Sequence, residues 1–271
     1  MKKIRGFAEI NGTKIYYEGK GEGTPLVLIH GGLSDHRLWD DQFDYFAFHF
    51  RAIRYDGKGF GQSDPPKETF FAHRDLNALL DFWQVERAHL LGLSMGGGIA
   101  IDFGLEYPNR VKSLILAAPS LGGFPYSKAL MQKGFELITL FLERGGEEAF
   151  RMLFEDPYWQ YTVPPRSREA ARNKMKKLAR TFFKVLRWDM NLMQPLSPPA
   201  IGRLSEINIP TLVIAAGFDH PDNLKVVDRL ASDIKKAKKV EIPDVGHMMN
   251  LEAPQQFNNI IFEFLANLRD Q

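Results

Sequence analysis

The feature that most constrains this chain is a series of short apolar runs separated by helical stretches. Residues 26–29, 50–55, 89–93 and 113–117 are such runs within the first 120 residues. A run that is apolar on both faces of its pleat predicts a strand covered from both sides, and intervening helices make successive strands parallel. Leu76, Leu79, Leu80 and Trp83 recur at helical spacing, so that segment should pack one face onto the sheet. The pattern returns late, with strands at 211–215 and 239–242 and helices at 224–234 and 256–265. Only the beginning differs: residues 7–10 and 14–17 read as a hairpin around Asn11-Gly12. The expected fold class is therefore α/β, a mostly parallel central sheet flanked by helices.

Residues 122–205 interrupt the rhythm. They carry no strand signal, and helical patterns at 129–142 and 168–186 are broken by Pro164-Pro165 and Pro198-Pro199. This is the pattern of a helical insertion between two strands of one sheet. The expected organisation is a core built from residues 1–121 and 206–271, with residues 122–205 as a helical cap.

Composition removes several function classes. At 271 residues with 44% hydrophobic and 25% charged side chains, the chain can bury a sizeable core and stay soluble. A net charge of +2 is too near neutral for a nucleic-acid partner. With no cysteine there is no disulfide, no thiolate metal site and no cysteine nucleophile. The basic Met1-Lys2-Lys3-Ile4-Arg5 leads into an alternating segment rather than an apolar core of a signal peptide. No stretch approaches the roughly 20 apolar residues that span a bilayer. The expectation is a soluble cytoplasmic protein without an integral membrane segment. Its oligomeric state is left open.

Gly92-Leu93-Ser94-Met95-Gly96 fits G-x-S-x-G, follows the apolar residues 88–91 and precedes a helical stretch at 98–107. That strand–turn–helix setting is what a nucleophile elbow needs. A serine exposed on a tight turn adopts a strained backbone, and small residues two positions away on either side let strand and helix approach. Free N–H groups at the helix start, together with its dipole, then face a developing oxyanion. His30-Gly31-Gly32 follows another strand, and its glycines can bring backbone N–H groups close to a substrate carbonyl. Gly32 and Met95 are the two expected oxyanion donors, with His30 a structural hydrogen-bonder rather than a base.

Seven histidines compete for the base. His247 lies just past the last strand, and ligands sit at the carboxyl ends of strands in open parallel sheets. His89 begins a strand and belongs at the opposite edge. His73 opens an amphipathic helix and reads as solvated. His36 follows the oxyanion segment and could line the pocket. His220 is the rival, because it adjoins the expected acid, Asp219, which follows the strand at 211–215. Asp222 is the alternative acid, and Asp244 is too close in sequence to His247. His30, His220 and His247 lie in separate loops and their neighbouring carboxylates show no metal-ligand spacing, so neither metal nor cofactor is expected.

Taken together, these residues resemble the α/β-hydrolase family over essentially the whole chain, in the order nucleophile, acid, histidine. His30-Gly31-Gly32 with Trp39 is similar to that family's oxyanion region. Residues 56–63, DGKGFGQS, resemble its D-x-R-G-x-G-x-S loop, with Lys58 in place of arginine. Ala216-Gly217-Phe218-Asp219 resembles the acid motif G-x-x-D with Ala216 for the first glycine, and residues 243–247, PDVGH, match P-x-x-G-H. The resemblance implies Ser94, Asp219 and His247 as a catalytic triad. Ser94 at the elbow argues against the dehalogenases and epoxide hydrolases of this fold, which use aspartate there. It leaves esterases, enol-lactonases, serine-type C–C bond hydrolases and perhydrolases, of which esterase or lactonase is the leading expectation.

The insertion carries 14 Lys and Arg against 8 Asp and Glu, and residues 166–187 hold nine basic residues and one acidic. Such a run is ordinarily a solvated helix face; attraction of anions or of a membrane surface is the alternative. Phe135, Phe141, Trp159, Phe183 and Trp188 are among its many aromatics, most of which must pack the insertion and a few of which should line an apolar pocket. Three readings follow. The first is a serine hydrolase of small, fairly apolar esters or lactones that prefers short and medium acyl groups to long-chain triglycerides. The second is a C–C bond hydrolase, and the third is a slow-turnover ligand receptor that retains the triad.

Overall fold

The computed structural model describes residues 3–185 and 188–268. Leu186 and Arg187, at the end of the basic run, lie outside the described residues. Among those described, one sheet of eight strands forms: β1 (Ile4–Ile10), β2 (Thr13–Lys20), β3 (Pro25–Ile29), β4 (Arg51–Tyr55), β5 (Ala88–Leu93), β6 (Val111–Ala117), β7 (Thr211–Ala216) and β8 (Ala237–Ile242). Their order is β1-β2-β4-β3-β5-β6-β7-β8, with β2 antiparallel to both its neighbours and every later pairing parallel.

The hairpin closes as the Asn-Gly pair dictates. Ile10 pairs with Thr13, leaving Asn11 and Gly12 as a two-residue turn with φ of 47° and 70°. Both central residues of the turn that matches strand twist need positive φ, which asparagine and glycine supply.

The helices are α1 (Asp40–Phe46), α2 (Ala72–Phe82), α3 (Met95–Glu106), α4 (Lys128–Arg144), α5 (Gly146–Glu155), α6 (Glu169–Val185), α7 (Pro221–Asp233), α8 (Met249–Glu252) and α9 (Pro254–Asn267). Side chains along β3 alternate between two cores. Leu26 and Leu28 face one, and Val27 and Ile29 face the other. In β7, Leu212 and Ile214 again oppose Val213 and Ala215. Burial on both faces explains why these strands read as unbroken apolar runs. No described helix is long and apolar enough to cross a membrane.

Between β6 and β7 the described residues form α4, α5 and α6 and no strand. Leu153, Trp159, Met175, Leu178 and Phe182 of this segment join the core on one face of the sheet. Lys174 pairs with Asp41 at 3.0 Å, and Arg37 donates to Thr181 Oγ1 at 2.7 Å. Trp188 Nε1 donates to the Gly59 carbonyl at 3.2 Å, and its ring fills the space where a Cβ on Gly59 would stand.

Candidate active site

β5 ends at Leu93, and α3 begins at Met95. Ser94 alone makes the turn, with φ 54° and ψ −117°. Positive φ at a residue with a side chain is strained by about 1–3 kcal/mol, so its surroundings must hold it. They do: Ser94 N–H donates to the Ala117 carbonyl at 3.0 Å, and its carbonyl accepts from Ser120 N–H at 2.9 Å and Gly98 N–H at 3.1 Å. The flanking glycines are required by contact. A Cβ on Gly92 would overlap the Gly96 carbonyl, and one on Gly96 would overlap the carbonyls of Ile29 and His30.

Gly32 lies in the loop after β3. Among the described residues, neither its N–H nor that of Met95 donates to a protein acceptor. Gly31 packs close to Ser94, since a Cβ there would sit 3.4 Å from Ser94 Cβ. Ser94, Gly32 and His247 line one cavity of about 250 Å³, together with Leu33, Asn223 and Met248. The segment between β6 and β7 completes its wall with Tyr126, Leu130, Trp159 and Thr162. Met95 borders a neighbouring depression instead.

His247 and Asp219 come from the loops after β8 and β7. Their contact, Nδ1 to Oδ2, is 2.9 Å, and both are buried, at 7% and 3% exposure. The other carboxylate oxygen of Asp219 accepts from His220 N–H at 2.7 Å and Asn223 Nδ2 at 2.8 Å. An anion held by these donors keeps the His247 proton on Nδ1, leaving Nε2 as the acceptor. Burial alone would lower the pKa of His247, but the charge and hydrogen bond of Asp219, with the charge of Glu252, outweigh it and raise it.

The competing histidines are engaged elsewhere. His30 Nε2 accepts from Gly57 N–H at 3.0 Å, so its Nδ1–H donates to the Gly31 carbonyl at 2.8 Å. His89, at the start of β5, contacts Ser113 Oγ at 2.8 Å. His220 caps α7: its Nδ1 accepts from Asp222 N–H at 3.2 Å, and Nε2 meets Tyr158 Oη at 3.1 Å. Asp222 accepts from Ser127 N–H at 2.8 Å, which ties α7 to the start of α4. Two expectations are corrected. His73 is 4% exposed rather than solvated, because its ring packs against Phe71 and Tyr107. His36 is outside the Ser94 cavity lining and pairs with Asp56 at 2.8 Å.

Several contributors were missed in the sequence. Asn223 sits four residues after Asp219 at the start of α7, a spacing that a helix starting at Pro221 would have revealed. Glu252 Oε1 accepts from Gly246 N–H at 3.2 Å, and burial raises its pKa. Arg168 lies 3.5 Å from the other Glu252 oxygen and donates to the backbone carbonyl of Asp244. The Tyr161 carbonyl accepts from His247 N–H at 2.8 Å. The segment between β6 and β7 thus holds the histidine loop directly, through two partners with no local motif.

The family model described as "Alpha/beta hydrolase family" matches residues 26–260. The chain belongs to that family. A 2-hydroxy-6-oxononadienedioate/2-hydroxy-6-oxononatrienedioate hydrolase of Paraburkholderia phymatum is 32% identical over 93% of this chain and 91% of its own length. A 2-hydroxy-6-oxo-6-phenylhexa-2,4-dienoate hydrolase of Comamonas testosteroni is 26% identical over 93% of this chain and 91% of its own. The solved structure of Est816, described as an N-acyl homoserine lactone degrading enzyme, is 28% identical with a TM-score of 0.75. That match covers 96% of this chain and all of the other, 100%. The relatives are hydrolases of more than one bond type.

Proposed function

We propose that this α/β hydrolase cleaves carboxylic esters or lactones of small, fairly apolar substrates through an acyl-enzyme on Ser94. The observation that carries the reading is the shared cavity: Ser94 on its strained turn and His247, held by Asp219 at 2.9 Å, line the same 250 Å³ space. In this reading His247 Nε2 takes the proton as Ser94 Oγ attacks the carbonyl carbon. The N–H groups of Gly32 and Met95 receive the oxyanion, and His247 returns the proton to the departing alkoxide. A water then repeats the sequence to release the acid. Asp219 orients the ring and stabilises the imidazolium.

The cavity wall also bears on the substrate class. Leu33, Leu93, Leu130, Trp159 and Met248 line it, and no Lys or Arg is among its lining residues as described. A dicarboxylate would find no Lys or Arg among those described residues to pair its charges. That favours a neutral ester or lactone over the dienedioates named for the Paraburkholderia relative. The C–C hydrolase reading keeps support from the names of the relatives themselves. Hydrolysis of p-nitrophenyl butyrate, with fluorophosphonate labelling lost in Ser94→Ala, is the expected result. Turnover of a dienoate alone, with no ester hydrolysis, would overturn it.

A further inference from the structure

α4 starts at the cavity and runs away from it. Leu130, in its first turn, lines both the Ser94 cavity and a second, open groove of about 1170 Å³. Beyond it the groove is floored by Met131, Phe135, Ile138 and Leu142, spaced by four, three and four residues and so aligned on one helix face. Phe183, Trp188 and Met190 form part of the opposite wall. From Leu130 to Leu142 the helix rises about 18 Å.

Three observations bear on the occupant. The insertion is dense in charge, yet Asp189 is the one ionisable side chain among the described residues lining the groove. Phe135 and Leu142 are 73% and 74% exposed, an unusual amount of contiguous apolar surface to leave in water. Gly134 lies inside a 17-residue helix, where glycine is unfavourable, with no positive φ to require it. A Cβ there would touch nothing within 4 Å, so the glycine leaves space in the groove one turn beyond Leu130.

We infer that this groove binds a linear apolar chain attached to the carbonyl held at Ser94, which makes the substrates medium-chain acyl esters. The inference rests on the serine-hydrolase reading for the carbonyl end and on the groove alone for the chain. Adjacency to the Ser94 cavity across Leu130 and the single ionisable side chain among the described lining residues select a hydrocarbon chain over a charged peptide. A single groove takes one chain, so triglycerides remain poor substrates.

The test is kcat/KM for p-nitrophenyl esters from acetate to dodecanoate, kept below their aggregation limits. A methylene fully withdrawn from water improves binding roughly fourfold. In an open groove about twofold per methylene is expected from butyrate to decanoate. Gly134→Leu should cut decanoate turnover at least tenfold and leave acetate within twofold; Ile138→Trp, narrowing the same groove, should repeat the pattern. A flat chain-length series, or equal losses on acetate and decanoate, would overturn the inference. If no ester is hydrolysed, the serine reading fails, and 1-decanol titrated into Ser94→Ala by tryptophan fluorescence decides the groove separately. Saturable binding lost in Ser94→Ala/Gly134→Leu supports it, and absence of binding sinks it. A dimer dissociated by Phe135→Glu with an unchanged chain-length profile would make the groove an interface between copies instead.

Discussion

By distance, His247 with Asp219 and His36 with Asp56 are the same pair twice, at 2.9 and 2.8 Å, and all four residues are buried. Their surroundings separate them. His247 lines the cavity beside Ser94, whereas His36 Nε2 faces Glu18 at 4.0 Å and its ring packs on Tyr16. Asp56 also accepts from the N–H groups of His36 and Gln62, so that pair joins the loops after β3 and β4. Glu18 anchors the same region. Burial would raise its pKa, but a hydrogen bond from Lys3 and the charge of Arg54 bring it down to about 2. A buried imidazole on a carboxylate is therefore not a base by itself. It becomes one where its second nitrogen reaches a nucleophile and a substrate.

The comparison breaks most decisively at the proposed nucleophile and its proposed base. Ser94→Ala and His247→Ala should each lower kcat by roughly 10⁴–10⁶, because members of the proposed triad would act as a unit. His36→Ala should leave kcat within tenfold while lowering stability by roughly 2–4 kcal/mol, since Asp56 would be left buried and under-paired. Ester kinetics and urea melts of the three variants measure this; a His36→Ala kcat as low as that of His247→Ala would erase the distinction.

At the carboxylates, Asp219→Asn should reduce kcat by about 10³–10⁴ through loss of the tautomer and of imidazolium stabilisation. Asp56→Asn should act on the melting temperature, and Asp222→Asn should leave kcat nearly unchanged. A large kcat loss at Asp222 with none at Asp219 would move the acid to Asp222.

The pH profile sharpens the contrast. The pKa of His247 is raised, and the proposed base works only when neutral, so the acid limb of kcat/KM should fall above pH 6.5, the ordinary histidine value. The linked stability runs the other way. Protonated His247 stabilises the fold fully below its unfolded pKa, and that contribution fades as pH rises through the folded value. In Asp219→Asn the limb of the residual activity should move down. A limb at the same pH in both proteins would mean that another group is titrating.

Smaller still is the effect of Glu18. Its depressed pKa contributes stability above its unfolded value of about 4.3, and that contribution is lost as pH falls toward 2. Glu18→Gln should flatten the drop in melting temperature between pH 4 and pH 2 without changing ester turnover at pH 8. Least of all should be the response to EDTA. Asp35, His36 and Asp56 bring donor atoms within 4.8 Å of one another, as a metal site would. The oxygens of Asp35, however, accept from Arg37 N, Nε and Nη2, and those of Asp56 from His36 and Gln62. Unchanged activity after EDTA is expected; loss restored by a divalent ion would assign that cluster a metal.

Much of this arrangement is legible in the amino-acid sequence. Period and burial fixed the strands to within a few residues, because a strand apolar on both faces belongs inside a sheet. G-x-S-x-G was readable because steric limits at the turn act within five residues, as the overlaps at Gly92 and Gly96 show. Asn11-Gly12 set the hairpin for the same local reason. The solvated reading of His73 failed because amphipathic spacing says which face is apolar, not what else packs over its edge; Tyr107 arrives from the far end of α3.

By itself, then, the sequence determined the parallel sheet, the tight strand–turn–helix at Ser94, the glycine loop beside it and the helical stretch between β6 and β7. Each depends on residues a few positions apart. Only the tertiary structure decided which histidine meets which aspartate, since Asp219 and His247 are 28 residues apart and meet because β7 and β8 are neighbours in register. It also decided that Tyr161 and Arg168 hold the histidine loop and that Leu130 borders two cavities. Those contacts arise where separately folded segments close over a common face, and no local spacing encodes that closure.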